Sequence, residues 1–298
     1  MPSSRLDGLF HQALDAIDAA DVATLERLLR DHPELVHERL TRPGTWLKDQ
    51  MGGNVPAVMK NPYLLWFVSE DIPRARTLPV NIVEITRTII DAAKRERVAS
   101  LQEQLDSTLR LVAWSGVAAT CGVQIPLLDA LIDAGATFAG EADNALVNGH
   151  VAAARHLIAR GGMMSAATAA CLDQWNDLPG LYEAADEAEK RFALVLAALN
   201  GKAESLRRMV ALGADVNAPS EDLYAHGTPL HHAVCSGSPD AVRVLVEAGA
   251  GVNTRDTAWK GTPLGWAHHY IDEAKDDDRR RRYQTIAAYL AGKGGRDD

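Results

Sequence analysis

The sequence predicts an all-α chain of stacked helix–turn–helix pairs, and three observations carry that expectation. Apolar residues recur at i, i+3 and i+4 along most of the chain, and no segment alternates with the period of two that a strand requires. Several apolar runs close on glycine, as in Leu131-Ile132-Asp133-Ala134-Gly135 and Leu245-Val246-Glu247-Ala248-Gly249, where a left-handed helix end favours that residue. Ala and Leu dominate a composition that is 47% hydrophobic but only 5% aromatic, a balance that suits closely stacked helices better than sheets.

The unit is clearest between Gly227 and Asn253. Thr228 is placed to cap a helix N-terminus, and Pro229 falls at the first helical position, where no amide hydrogen is missed. Leu230, Ala233 and Val234 form an apolar stripe that Gly237 ends. Ala241, Val242, Leu245 and Val246 repeat the pattern before Gly249. Helices this short are marginal alone, so each needs a stacked neighbour. The run Thr228-Pro229-Leu230-His231-His232-Ala233 and the spacing to Gly249-Ala250 and Val252-Asn253 resemble the ankyrin repeat family. That resemblance implies an ankyrin-repeat solenoid, with irregular N-terminal units and long inserted loops. It also implies a non-catalytic scaffold or adaptor that binds a protein partner.

Taken in order, residues 1–298 are expected to form one array. Residues 1–40 read as an N-terminal capping pair, with Leu9, Ala13, Ala16 and Ile17 on one stripe and Val22, Leu25, Leu28 and Leu29 on the next. Asp21 caps the second helix, His32-Pro33 closes it, and Gln12, Asp15, Glu26, Arg27 and Arg30 make the wet face. Residues 41–126 read as irregular units with insertions. Within them 41–60 is a Pro/Gly-rich loop holding Trp46, Leu47 and Met51, with one turn of helix. Asn61 and Pro62 stand as cap and first residue of a helix through Val68, and 69–80 is an insertion. Ile82 to Ala92 is a second helix with Ile85, Ile89 and Ile90 inward. The next first helix starts near Ser107, and 116–126 is another insertion. Residues 127–253 are more regular, although Leu178-Pro179-Gly180 disturbs one second helix. Residues 254–298 form a capping repeat that opens on Thr262-Pro263-Leu264, 34 residues after Thr228. It lengthens through the charged run 275–282, read as a solvated helix extension with i,i+4 pairs. The count is about eight helix pairs.

Composition narrows the function classes. A net charge of −9 disfavours nucleic acid. The acidic residues near the start and the lack of a long apolar run argue against a signal peptide or membrane span. The scattered Cys121, Cys171 and Cys235 make neither a disulfide frame nor a zinc site. A cytoplasmic protein with no cofactor and no metal is expected. His231 takes the family position that bonds to a neighbouring loop backbone, whereas His232, His268 and His269 are read as helix-surface residues. His32 and His37 are five apart, not the four that a zinc-protease helix needs. No phosphate loop, GxGxxG or GxSxG occurs, and Glu221, Asp222 and Asp240 do not assemble acid–base chemistry, so catalysis is not expected.

The aromatics point to recognition. In the family, partners are gripped by loop tips and by exposed positions late in the first helix. In this chain those positions are Tyr224 and Ala225, Trp259, Cys235 and Ser236, His269 and Tyr270, Leu199 and Asn200, Val147 and Asn148, and Trp114 and Ser115. Tyr224, Trp259, His269, Tyr270, Asn200, Asn148 and Trp114 are the candidate partner-binding residues, centred on the concave side of the last three units. Trp66 and Trp266 sit mid-helix and are read as core. The alternative is an enzyme or small-molecule binder, with a pocket in 41–126 beneath Trp46 and Trp66.

Overall fold

The computed structural model describes residues 2–50, 61–69 and 76–297, which are helical with no strand among them. They divide into two compact units, residues 1–162 and 163–298.

The first unit starts with α1 (Pro2–Asp18) and α2 (Val22–Asp31). Asp21 caps α2 by accepting from the Thr24 amide at 2.9 Å, which holds its pKa below the usual carboxylate value. Leu9, Ala13, Ala16, Ile17, Leu25, Leu28 and Leu29 are buried, and the five expected wet-face residues are exposed. After α3 (Glu34–His37) and α4 (Thr45–Gln50) comes a 3-10 helix, Leu64–Val68, then α5 (Ile82–Arg95). α6 (Leu101–Trp114), α7 (Gly116–Thr120) and α8 (Gln124–Ala134) follow, then α9 (Glu141–Val147) and α10 (Val151–Ala159). Packing sorts these into two columns. α1, the 3-10 helix, α6 and α9 make one; α2, α5, α8 and α10 make the other.

The second unit repeats the scheme more evenly. α11 (Ala166–Cys171), α13 (Glu187–Leu199), α15 (Pro229–Cys235) and α17 (Pro263–Glu273) form the first-helix column. α12 (Leu178–Ala184), α14 (Ala203–Ala211), α16 (Pro239–Glu247) and α18 (Asp277–Gly292) form the second. Leu194, Leu196, Leu206, Leu230, Val242 and Leu245 are sealed in its core. Each such side chain contributes ~1.5–3 kcal/mol by leaving water. The turns are as the glycines imply: after α16, Gly249 takes a left-handed φ of 94°.

Several boundaries differ from the sequence reading. Asn61 and Pro62 neither cap nor begin a helix; Tyr63 is the extended N-cap residue, and the turn that follows is 3-10. α6 begins at Leu101, well before Ser107, because Val98 and Leu105 also find buried places. Residues 116–126, expected as an insertion, hold α7 and the start of α8, and Ser115 caps α7 through the Ala118 amide. Leu178-Pro179-Gly180 opens α12, with Pro179 in the first turn where proline is tolerated. The charged run does not extend α17. That helix stops at Glu273, and Asp276 caps α18 by accepting from Arg279 at 2.7 Å. The ion pairs there are i,i+3, Arg280–Asp277 and Arg281–Asp278. Met51 lies outside the described residues, as do 51–60 and 70–75, half of each of the two expected insertions at 41–60 and 69–80.

Candidate functional site

The site grows from the helix start that the sequence marks most clearly. Thr228 is extended, Pro229 occupies the first turn, and α15 runs from there. His231 closes a capping box. Its Nδ1 accepts from the Thr228 amide at 3.2 Å and lies 2.8 Å from Thr228 Oγ1. The other ring nitrogen, Nε2, reaches the Gly261 carbonyl at 3.2 Å, and donating there fixes the tautomer with its proton on Nε2. His231 therefore ties α15 to the loop that leads into α17.

That loop is organised by one buried carboxylate. Asp256 Oδ1 accepts from the amides of Ala258 (2.8 Å) and Trp259 (2.6 Å). Its Oδ2 accepts from the Gly261 amide (2.8 Å) and from Trp266 Nε1 (3.0 Å). Burial raises the pKa of Asp256, but these donors outweigh it and leave the carboxyl below its ordinary value. The Thr257 amide donates to the His226 carbonyl at 2.8 Å and so joins this loop to the one before α15.

Aromatic rings fill the space between the two loops. His226 meets Trp259 edge to face, centroids 4.8 Å apart, and lies 5.9 Å from Trp266. Trp266 in turn contacts Trp259 (5.8 Å), His231 (5.0 Å) and Tyr270 (6.4 Å). Tyr224 sits 6.0 Å from His232. Gly227 makes this closeness possible, because a Cβ there would stand 3.1 Å from His232 Nε2. His232 itself is not the helix-surface residue expected from the sequence. It is 2% exposed, and its Nε2 is buried without a hydrogen-bond partner. Burial, with the neighbouring His226 and His231, pushes its pKa down to about 4. Burial lowers His231 as well.

The expected partner-binding residues fall in both units. Tyr224 and Trp259 stand at the two loop tips, 43% and 70% exposed, with Ala225 exposed beside Tyr224; His269 is exposed on α17. Tyr270 is not free of stacking duties: its hydroxyl donates to Cys235 Sγ at 3.0 Å and its ring stacks on Tyr283 at 5.1 Å. Asn200 donates to the Leu196 carbonyl at 2.9 Å, and Ser236 to Ala233 at 2.7 Å. In the first unit, Trp114 is 38% exposed and Asn148 donates to its carbonyl at 2.8 Å. Val147 and Ser115 are buried rather than exposed, Ser115 donating to the Ser69 carbonyl at 2.5 Å. His268 pairs with Asp297. Trp66 is buried, as expected of a core residue, whereas Trp266 is half-buried at the heart of the ring cluster. Sequence reasoning missed His226 and Asp256; His226 directly precedes Gly227-Thr228, and Asp256 stands five residues before Gly261.

Trp46, one roof of the expected pocket in 41–126, stacks on His11 at 4.8 Å and donates to Asp7 at 2.6 Å. A groove of about 390 Å³ lies in the second unit, lined by Tyr182, Glu183, Glu187, Lys190, Leu212 and Asp215 among others.

A family model described as ankyrin repeats, three copies, matches residues 145–256. Over those residues the chain is similar to ankyrin repeats. The helix pairs across that stretch, from α9 to α16, have the all-α form of such repeats. Ankyrin repeats are generally protein–protein interaction modules. Among solved structures, the human ASB11 ankyrin repeat domain matches 66% of this chain and 96% of its own, at 16% identity. Its TM-score of 0.34 is too low to align residues. No curated protein matches. No helix among the described residues is long and apolar enough to cross a membrane.

Proposed function

We propose that this ankyrin chain is a non-catalytic, cytoplasmic adaptor that grips a protein partner with the two loop tips of its second unit. Tyr224 and Trp259 make the contact, and His269 flanks them. One observation carries the reading. Trp259 holds its ring 70% exposed while its amide is bound to the buried carboxylate of Asp256. An exposed indole on a fixed backbone loses little freedom on docking, which is the profile of a binding hot spot. Tyr224 adds to it, since it keeps a left-handed φ of 46° that a bulky side chain rarely adopts. Catalysis finds no support in the loop chemistry: Asp256 is saturated with donors, and His231 is engaged at both nitrogens.

The test uses Trp259→Ala and Tyr224→Ala, with Trp175→Ala as a control, because Trp175 is also exposed in the second unit. Cross-linking in the native cell is expected to trap a partner with the parent chain and the control, and to lose it with the loop variants. Their unfolding free energies should stay within ~0.5 kcal/mol of the parent. A partner retained by Trp259→Ala, together with a lowered melting temperature, would make these rings a cover for the repeat and end the proposal.

A further inference from the structure

The two recognition loops are joined through imidazoles that the docking surface does not itself use. His231 and His232 are consecutive on α15, and His226 lies on the preceding loop, its ring 6.2 Å from that of His232. The repeat shows what is unusual here. Gly201 and Gly237 follow equivalent first helices, so His232 takes the place that Leu196 fills in the preceding pair. Packing alone is served there by leucine. In α15 the same place holds an imidazole with an unbonded, buried Nε2.

No carboxylate offsets a proton on His232. The titratable groups acting on it are His226 and His231, both cations when protonated. The carbonyls of Tyr224 and Gly227 favour the charge without outweighing burial. The buried faces packed against α15 are apolar: Ala193, Leu194, Val195, Leu196, Ala197 and Ala198 on α13, and Ala241, Val242, Val244 and Leu245 on α16. α17 offers the ring of Trp266 at 6.3 Å. The nearby carboxylate, Asp256, acts on His231 and is already committed to three amides and an indole.

We propose that His231 and His232, with His226 packed against them, form a proton-operated latch that holds the Tyr224 and Trp259 loops together when neutral and parts them when protonated. The inference rests on the reading of those loops as the docking surface, and makes partner binding weaken as pH falls. Two steps follow from the geometry. A proton on His231 Nδ1 removes the acceptor of the Thr228 amide, so the capping box opens. A proton on His232 places a cation under the Tyr224–Gly227 loop, and only lifting that loop brings water to Nε2. A loop-open form titrates near the ordinary value of 6.5, whereas the closed form holds His232 at about 4. Acid across that interval favours the open form by up to roughly 300-fold through the His232 proton alone.

The test needs no partner. The full chain is labelled with fluorotryptophan, its fluorine resonances are assigned by Trp259→Phe and Trp266→Phe, and the pH is lowered from about 7.5 to about 4.5. The Trp259 and Trp266 signals are expected to move together, reversibly, with a midpoint below 6.5, while far-UV circular dichroism stays constant. His232→Leu, the residue of the preceding repeat, should abolish the transition or move it down by at least about one pH unit. His232→Gln, which does not titrate, should do the same and serves if the leucine variant fails to fold. Signals that ignore pH, an unchanged midpoint in both variants, or helix loss coincident with the fluorine transition would each overturn the latch. The adaptor reading fails separately, on partner capture by Trp259→Ala, with this transition intact.

Discussion

Leu64–Val68 in the first unit and Pro229–Cys235 in the second do the same job by different means. Each is the first helix of a pair and packs in the first-helix column of its unit. Pro229–Cys235 is an α-helix opened by Thr228, Pro229 and the His231 capping box. Leu64–Val68 is a 3-10 turn without a side-chain cap, yet all five of its residues are buried. It is held from outside: the Arg39 guanidinium lies 4.3 Å over the Tyr63 ring, and Tyr63 donates to Glu103 at 3.1 Å. Burial thus fixes where a segment sits, while the cap decides what helix it forms and where it starts.

If burial places both segments, emptying either costs alike. Leu65→Ala and Leu230→Ala, at 1% and 0% exposure, are each expected to lose ~2–5 kcal/mol in urea unfolding. A loss below ~1 kcal/mol at Leu65 alone would break the equivalence and leave the 3-10 turn as a surface strap.

The same contrast explains what was legible in the sequence. Thr228, Thr262 and the helix-closing glycines are local signals, and the structure follows them to the residue. Asn61-Pro62 imitates such a signal but fails. The Pro62 carbonyl accepts from the Leu40 amide at 2.9 Å and the Asn61 carbonyl from Arg39, which draws the chain out extended. Those partners lie some twenty residues away, beyond any local pattern. The candidate site divides likewise. Tyr224 and Trp259 follow from loop register, whereas the pairing of His226 with Thr257 and the Trp266–Asp256 bond arise only when two loops meet. His232 misleads for a related reason: its helical phase permits either face, and only Gly227 lets the loop close over it.

Acid should separate the two regions next. His231 and His232 have lowered pKa values in the folded chain, His232 about 4 against an ordinary 6.5. The unfolded chain therefore binds more protons between these values, and stability falls as pH drops from 6.5 towards 4. The loss attached to His232 is about 3 kcal/mol at most. Urea midpoints measured across that interval should fall for the parent and fall less for His232→Leu. In the first unit Leu65→Ala removes no titrating group, so it should lower the midpoints and leave that slope in place. Equal slopes in the parent and His232→Leu would remove His232 as the cause.

The smallest effect is the sharpest test of the comparison, because it asks whether the two helix starts differ in kind. Thr228→Ala deletes the hydroxyl of the α15 cap and should cost ~1 kcal/mol, the usual worth of a capping side chain. The Thr228 amide still reaches His231 Nδ1, so half of the capping box survives and the loss stays near that figure. Asn61→Ala removes a residue that looks like a cap in sequence but offers only its backbone carbonyl, and that to Arg39. It is expected to shift stability by less than ~0.5 kcal/mol, as a surface change does. Urea titrations resolve the two, since a tenfold change in the folding equilibrium is ~1.4 kcal/mol. An Asn61→Ala loss as large as that of Thr228→Ala would mean that a side-chain cap operates at both starts, and the 3-10 geometry would then need another cause.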